Sequence, residues 1–358
     1  MMGSPQFFGA AEVGYFFAMM VYIACFVFRS DSVGKAATVI TSVSFVSQTA
    51  AILLRWFESY QMGIGRAPLT NLYESLEFFV WCLILGYLII EFKYKTRSFG
   101  AFVTPVAGLA LGFIDLTAMR TTIEPLVPAL QSNWLLAHVT MSFISYSAFG
   151  LSFAVAMMYL IMNSENRKGS AYWFWTIMGS IFVSVLAAML IDYLNYHILQ
   201  TSVAGDKRDI LGSTLRSKSS GVRLFSYIVA AIFTAVVWRY GGVLKRTLAY
   251  FKISAELLDE LNYKLIALGF PIFTLGGLIF GAVWADQAWG VYWSWDPKET
   301  WSLITWLAYA FYLHARFIKG WRGTKVAVVS VIAFVTVVFT YLGVNIFLSG
   351  LHSYGEMP

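Results

Sequence analysis

Ten apolar runs constrain this chain more than any other feature. A helix rises about 1.5 Å per residue and needs roughly 20 apolar residues to cross a hydrocarbon layer about 30 Å thick. Runs 13–28, 36–54, 72–92, 99–118, 134–162, 172–193, 222–238, 266–283, 302–318 and 326–347 approach or reach that length. The expected fold class is therefore an all-α polytopic membrane protein of about ten transmembrane helices. Composition agrees: 59% of the side chains are hydrophobic and only 12% charged, against about 25% charged in soluble domains, which excludes a water-soluble globule. No basic segment precedes the first run and no small-residue cleavage site follows it, so that run reads as a helix and not as a removable leader.

Charge supplies the orientation. Ten spans put both termini on one side and divide the loops into two alternating sets. One set carries Arg29, Lys35, Lys93, Lys95, Arg97, Arg167, Lys168, Arg239, Lys245, Arg246, Lys252, Lys264, Arg316, Lys319, Arg322 and Lys325. The other set is poorer, and Lys207, Arg208, Arg216, Lys218 and Arg223 crowd into its loop between spans six and seven. By the positive-inside rule the richer set faces the cytoplasm. Both termini and the segment 284–301 are then extracytoplasmic. The net charge of +6 is explained by this loop bias and requires no nucleic-acid partner. Residues 245–264 (KRTLAYFKISAELLDELNYK) alternate charge and apolar groups at helical spacing. They read as a helix lying in the membrane interface or extending the eighth span, with a partner-docking helix as the other reading. No internal repeat supports an inverted-repeat transporter.

Tryptophan is unevenly spread: six of 13, namely Trp284, Trp289, Trp293, Trp295, Trp301 and Trp306, fall within 23 residues. A headgroup belt explains one or two per helix end, but not a loop this dense. The stretch WADQAWGVYWSWDPKETW offers flat apolar faces with N–H handles, suited to a large planar hydrophobic ligand. Asp296, Pro297 and Glu299 also read as a helix start, with Asp296 as cap, Pro297 at the first helical position and Glu299 completing a capping-box-like arrangement. Lys298 stands out, because the dipole at a helix N-terminus disfavours a cation, and it reads as the partner of an anionic group such as a carboxylate.

The four histidines sort by depth. His138 lies about four residues into the fifth span, which starts on the side of the aromatic segment, and His352 lies just past the tenth span on that same side. His314 lies 13 residues beyond Trp301 in one helix, about 20 Å deeper, beside Arg316, which reads as a snorkelling anchor or a carboxylate partner. A two-imidazole site at that depth needs a second protein. His197 ends the sixth span and reads as interfacial. Two imidazoles covered by indoles suit haem better than a bare ion, which wants three or four clustered ligands. The two cysteines, Cys25 and Cys82, sit in apolar runs and form no CxxC pair.

From Trp289 onward, WGVYWSWDPKETWSLITWLAYAFYLHAR resembles the tryptophan-rich WWD signature of the haem-handling proteins, and within them the CcsA/ResC branch of system II cytochrome c biogenesis. Stretches 71–77 (NLYESLE), 130–142 (LQSNWLLAHVTMS), 268–285 (LGFPIFTLGGLIFGAVWA) and 351–355 (LHSYG) support it. The resemblance implies that His138 and His352 are axial ligands of an external haem b. It implies that His314 shares a membrane haem with a histidine of a ResB/CcsB-type subunit. The platform implied is Trp289, Trp293 and Trp295, and Trp284, Trp301, Asp296 and Lys298 complete the expected haem-contacting set. Chain 1–358 would then be one haem-handling domain and a subunit of a holocytochrome c synthase, catalytic by positioning. It would attach haem to the CxxCH motifs of apocytochromes c, whose thiols other proteins keep reduced.

Segment 171–251 is longer than in the shorter plastid-type members and is expected to be an insertion adding spans six and seven, with a docking surface for an acidic apocytochrome as a further reading. The membrane would be a bacterial cytoplasmic membrane, or a thylakoid membrane in a photosynthetic organism. Two other functions compete. A haem-retaining electron-transfer protein needs paired histidines within the bilayer, where only His314 is expected. A transporter of another hydrophobic solute would make the outer histidines incidental.

Overall fold

The computed structural model describes residues 3–116, 121–126, 128, 131–197 and 220–348. Among them every regular element is helical, as a chain must be where lipid offers backbone N–H and C=O groups no partner. In chain order the elements are α1 (Ser4–Phe28), α2 (Asp31–Gln61), α3 (Leu72–Tyr94), α4 (Gly100–Leu116), α5 (Asn133–Asn163), α6 (Gly169–His197) and α7 (Ser220–Tyr240). Then follow α8 (Gly242–Tyr250), α9 (Ala255–Phe273), α10 (Gly281–Trp289), α11 (Pro297–Phe317), α12 (Thr324–Val338) and α13 (Val344–Phe347). Two π-helical turns, Thr274–Phe280 and Phe339–Gly343, join α9 to α10 and α12 to α13 without a break.

Each expected run falls on a helix. Eight segments of the described chain are long and apolar enough to cross a membrane, and a ninth follows if Tyr227–Tyr240 and Gly242–Tyr250, bent by 53°, count as one span. Run 302–318 lies in α11, which is too polar to be among them. Residues 245–264 do not form one helix. The chain breaks after α8, and Ser254 caps a new start by accepting from the Leu257 amide at 3.1 Å, so only the second half extends the eighth span.

Polar residues at the edges of the apolar runs set the helix starts. Side-chain oxygens of Ser30, Asn71 and Ser132 accept from backbone amides in the first turns of α2, α3 and α5, each satisfying an orphan donor. Successive spans then alternate in direction, α9–α10 and α12–α13 each counting as one, and side chains tie their ends together. At one end the Ser4 amide donates to Glu58 at 2.8 Å, Ser132 to Gln287 at 2.6 Å and Lys298 to Asn345 at 3.1 Å. At the other, Arg97 meets Asp31 at 2.5 Å, Lys245 donates to the Ser164 carbonyl at 2.9 Å, and Arg316 grips Asp259 through both carboxylate oxygens at 3.0 and 2.9 Å. The second end carries most of the basic residues assigned above to the richer loop set.

Helix α5 is the central element and almost wholly buried, with α3, α9 and α12 around it. On α2, Val39, Val43, Val46 and Leu53 stay exposed at helical spacing, as do Val13, Phe17 and Met20 on α1. Apolar stripes of that extent need a nonaqueous surround. Buried charge is paired: Arg55 on α2 donates to Glu74 on α3 at 2.7 Å with both side chains nearly inaccessible. Removing one partner strands the other, so Arg55→Met is expected to destabilise the fold by about 3–5 kcal/mol. Replacing both, as Arg55→Met with Glu74→Met, should recover much of that loss, measured as the unfolding temperature in detergent.

Candidate functional site

The segment between α10 and α11 is built by its special residues. Gly290 ends α10 with φ +80°, a left-handed conformation that glycine adopts at little cost. Asp296 then caps α11, its Oδ1 accepting from the Lys298 amide at 2.9 Å, with Pro297 in the first turn. Glu299 does not close a capping box on Asp296. Its Oε2 instead accepts from the amide and hydroxyl of Ser294, at 2.7 and 3.1 Å, and so folds the tryptophan segment back over the helix start. Trp295 takes φ +59°, rare for a residue with a side chain.

This geometry sorts the tryptophans. Trp284 is buried, edge-on to Trp289 at 4.9 Å, and packs on Leu135 of α5. Trp293 meets Trp295 edge-on at 5.8 Å, and Trp295 remains 69% exposed. Trp301 turns toward Phe339 of the second π turn at 4.1 Å. Trp306 donates to Thr274 of the first π turn at 2.9 Å.

A cavity of about 150 Å³ opens among α3, α5, α10, α11 and the second π turn. His138, Trp284, Trp293 and Lys298 share its wall with Tyr292, Ser302, Tyr341 and Asn345. His138 lies 2.7 Å, through Nδ1, from the Gly276 carbonyl. A carbonyl only accepts, so Nδ1 carries the proton and a neutral ring keeps its lone pair on Nε2. The imidazole is nearly parallel to the Trp284 indole, 11° between planes and 6.0 Å between centroids. Lys298 donates to Asn345 Oδ1 and sits 5.8 Å from the Tyr341 ring centre. The Ser142 hydroxyl and the Trp293 N–H in the same wall are buried with no hydrogen-bond partner among the described residues.

The structure thus brings together His138, Trp284, Trp293 and Lys298, with Trp289 behind Trp284 and Asp296 serving the helix start. Trp301 does not line the cavity. His314 is at the opposite end of α11, exposed on the face that also exposes Leu307 and Phe311. Of the two roles open to Arg316, pairing is the one observed, and the partner is Asp259 of the same chain. His352 lies outside the described residues, as does the loop holding Lys207 and Arg208. Asn345 was missed, although an amide inside the apolar run 326–347 is a signal that could have found it. Among the described residues no group of three or more His, Cys, Asp or Glu side chains could hold a bare metal ion.

Residues 69–352 match the family described as Cytochrome C assembly protein. The chain is 39% identical to the cytochrome c biogenesis protein CcsA of Gloeobacter violaceus over 318 residues, 88% of this chain and 85% of that one. It is 37% identical to the CcsA of a Nostoc species over 340 residues, 91% and 89% of the two chains. With the CcsA of Pyropia yezoensis it shares 37% over 348 residues, 96% and 94%. Matches of this length, covering every element of the cavity wall, make the chain a member of the CcsA family of cytochrome c biogenesis proteins.

Proposed function

We propose that this chain holds haem b, as substrate, against His138 and presents it to apocytochromes c for covalent attachment at CxxCH motifs, working with a ResB/CcsB-type subunit. A part in cytochrome c maturation follows from the family. The observation that carries the finer reading is the His138 ring, its Nδ1 proton committed to the Gly276 carbonyl, in one wall with indoles and an ammonium group. A metal-ligating histidine ordinarily hands its second ring nitrogen to such an acceptor.

The donor set suits an iron porphyrin. His138 offers Nε2 to the iron. Trp284 and Trp293 supply apolar faces, and Lys298 supplies a cation for a propionate, with Asn345 and Ser302 beside it. Tyr292 in the cavity wall and Trp295 beside Trp293 are both exposed, so a ring held here keeps an edge toward the surface. An edge left open suits presentation. Haem b contributes the iron and the two vinyl groups. Each apocytochrome thiol adds across one vinyl, forming one C–S and one C–H bond with nothing expelled, so the chain needs no nucleophile of its own and acts by position. His352, four residues beyond the last described residue, is the second axial ligand in this reading, and the CxxCH histidine displaces one of the two.

The basic end opposite the cavity favours a cytoplasmic face there by the positive-inside rule, which puts the cavity and both termini outside. His314, exposed on an apolar face near that basic end, suits a membrane haem shared with a histidine of the ResB/CcsB-type subunit. In this reading segment 171–251, which carries α6 to α8, is an added pair of spans. Cyanobacterial and algal relatives favour a thylakoid or a bacterial cytoplasmic membrane.

Purified wild-type chain is expected to give a haem b pyridine haemochrome spectrum, and the double variant His138→Ala, His352→Ala to fold normally yet lose the external haem and cytochrome c maturation. Maturation at the normal rate in that variant overturns the ligand assignment. Lys298→Met should lower the preference for haem over its propionate dimethyl ester by about 10-fold or more, the worth of a charge-assisted hydrogen bond. An unchanged preference in a competition assay removes Lys298 from propionate binding.

A further inference from the structure

We infer that Gly276 and Gly281, on either side of the end of the first π turn, are positioning residues that set the tautomer and aim of His138 before any haem arrives. The inference rests on the reading of His138 as an iron ligand for its purpose, although the clamp itself is a property of the haem-free chain.

Three contacts define the clamp. Gly276 has no side chain where one would meet Met141 Cβ at 2.3 Å and the Met141 backbone at 3.2 Å. The π turn and α5 therefore touch through backbone at a point one helical turn from His138. That approach brings the Gly276 carbonyl within 2.7 Å of Nδ1. Five residues on, a Cβ at Gly281 would meet His138 Nδ1 at 2.9 Å and Cε1 at 3.0 Å, and its third neighbour would also be an atom of that ring. The bare backbone of Gly281 is thus the space in which the imidazole lies. Trp284, the next residue on the same helical face, runs parallel to the ring. One short stretch of chain supplies acceptor, clearance and stacking partner.

The π turn is what allows a single stretch to do all three. Its extra residue rotates the following helix relative to α9. An α-helical turn in its place changes the relation of the Gly276 carbonyl to residues 281 and 284, which then cannot all address one ring. Hydrogen-bonding to a carbonyl also makes the ring nitrogen opposite more basic, and losing such support ordinarily weakens a histidine–metal bond about 10- to 100-fold.

Gly281→Ala is the sharpest test, because the added methyl is aimed at the imidazole and at no other side chain among its three nearest contacts. Full-length chain with ¹⁵N-labelled histidine, stripped of haem in detergent micelles, is expected to show His138 protonated on Nδ1, the resonance being assigned by its loss in His138→Gln. Gly281→Ala should shift that resonance and lower the haem retained after purification by about 10-fold, with helicity and unfolding temperature unchanged. If Gly281→Ala fails to fold, His138→Gly supplied with imidazole serves instead. Bound imidazole is expected on Nδ1–H and should restore the low-spin haem spectrum, whereas free imidazole rotating in the site overturns the clamp. A wild-type ring protonated on Nε2, or a Gly281→Ala chain with unaltered tautomer and haem spectrum, also overturns it. Retention of haem by His138→Ala would instead remove the ligand assignment and leave the tautomer result standing, so the two failures are distinct.

Discussion

The close approach of α5 to the continuous helix α9–α10 is the contact on which the rest is arranged. Lipid tails are as apolar as leucine, so helices in a bilayer gain little from the hydrophobic effect between them and associate through dispersion and hydrogen bonds at short range. Short range requires small groups. Gly269 faces Phe149, where a Cβ would sit 2.8 Å from the ring, and Gly276 faces Met141. Phe149, held there, stacks on Tyr309 of α11 at 3.6 Å with 10° between planes. One contact face thereby fixes α5, α9 and α11 together, and the cavity lies at the end of that face.

Helix α11 reverses the pattern of a surface helix in water. Its buried side carries Thr305, Tyr309, Tyr312 and Arg316, and its exposed side carries Leu307, Phe311 and Ile318. Two of the inward groups hold polar partners on other elements, Thr305 meeting Thr340 at 2.8 Å and Arg316 holding Asp259, and beside them Ser330 of α12 donates to Asn262 of α9 at 2.9 Å. Polar contacts of this kind are individually modest in a bilayer, but they specify which face turns inward. With that face committed, Lys298 points into the cavity at one end while His314 is left among outward apolar side chains at the other. The same helix therefore carries two chemically different places at its two ends.

Much of this was legible before any coordinates. Run lengths located the helices, because the hydrocarbon thickness sets a length that few other structures need. The Asp296-Pro297 start of α11 was legible because capping is local chemistry, decided within three residues. The depth of His138 followed from counting along a helix. The partner of Glu299 was not legible: Ser294 and Asp296 are both close in sequence, and only the path of the loop chooses between them. Nor was Asp259 as the partner of Arg316, since 57 residues separate them and helix packing alone brings them together.

The sequence by itself therefore determined the all-helical membrane architecture, the alternation of helix directions and the residue types gathered at the aromatic end, since these depend on composition, run length and local capping. Tertiary structure alone decided which of those residues meet. The first π turn, which joins α9 to α10 without a break, lies beside the contacts that Gly276, Gly281 and Trp284 make with His138. A side chain's orientation is fixed by contacts with distant segments, and no reading of nearest neighbours contains them.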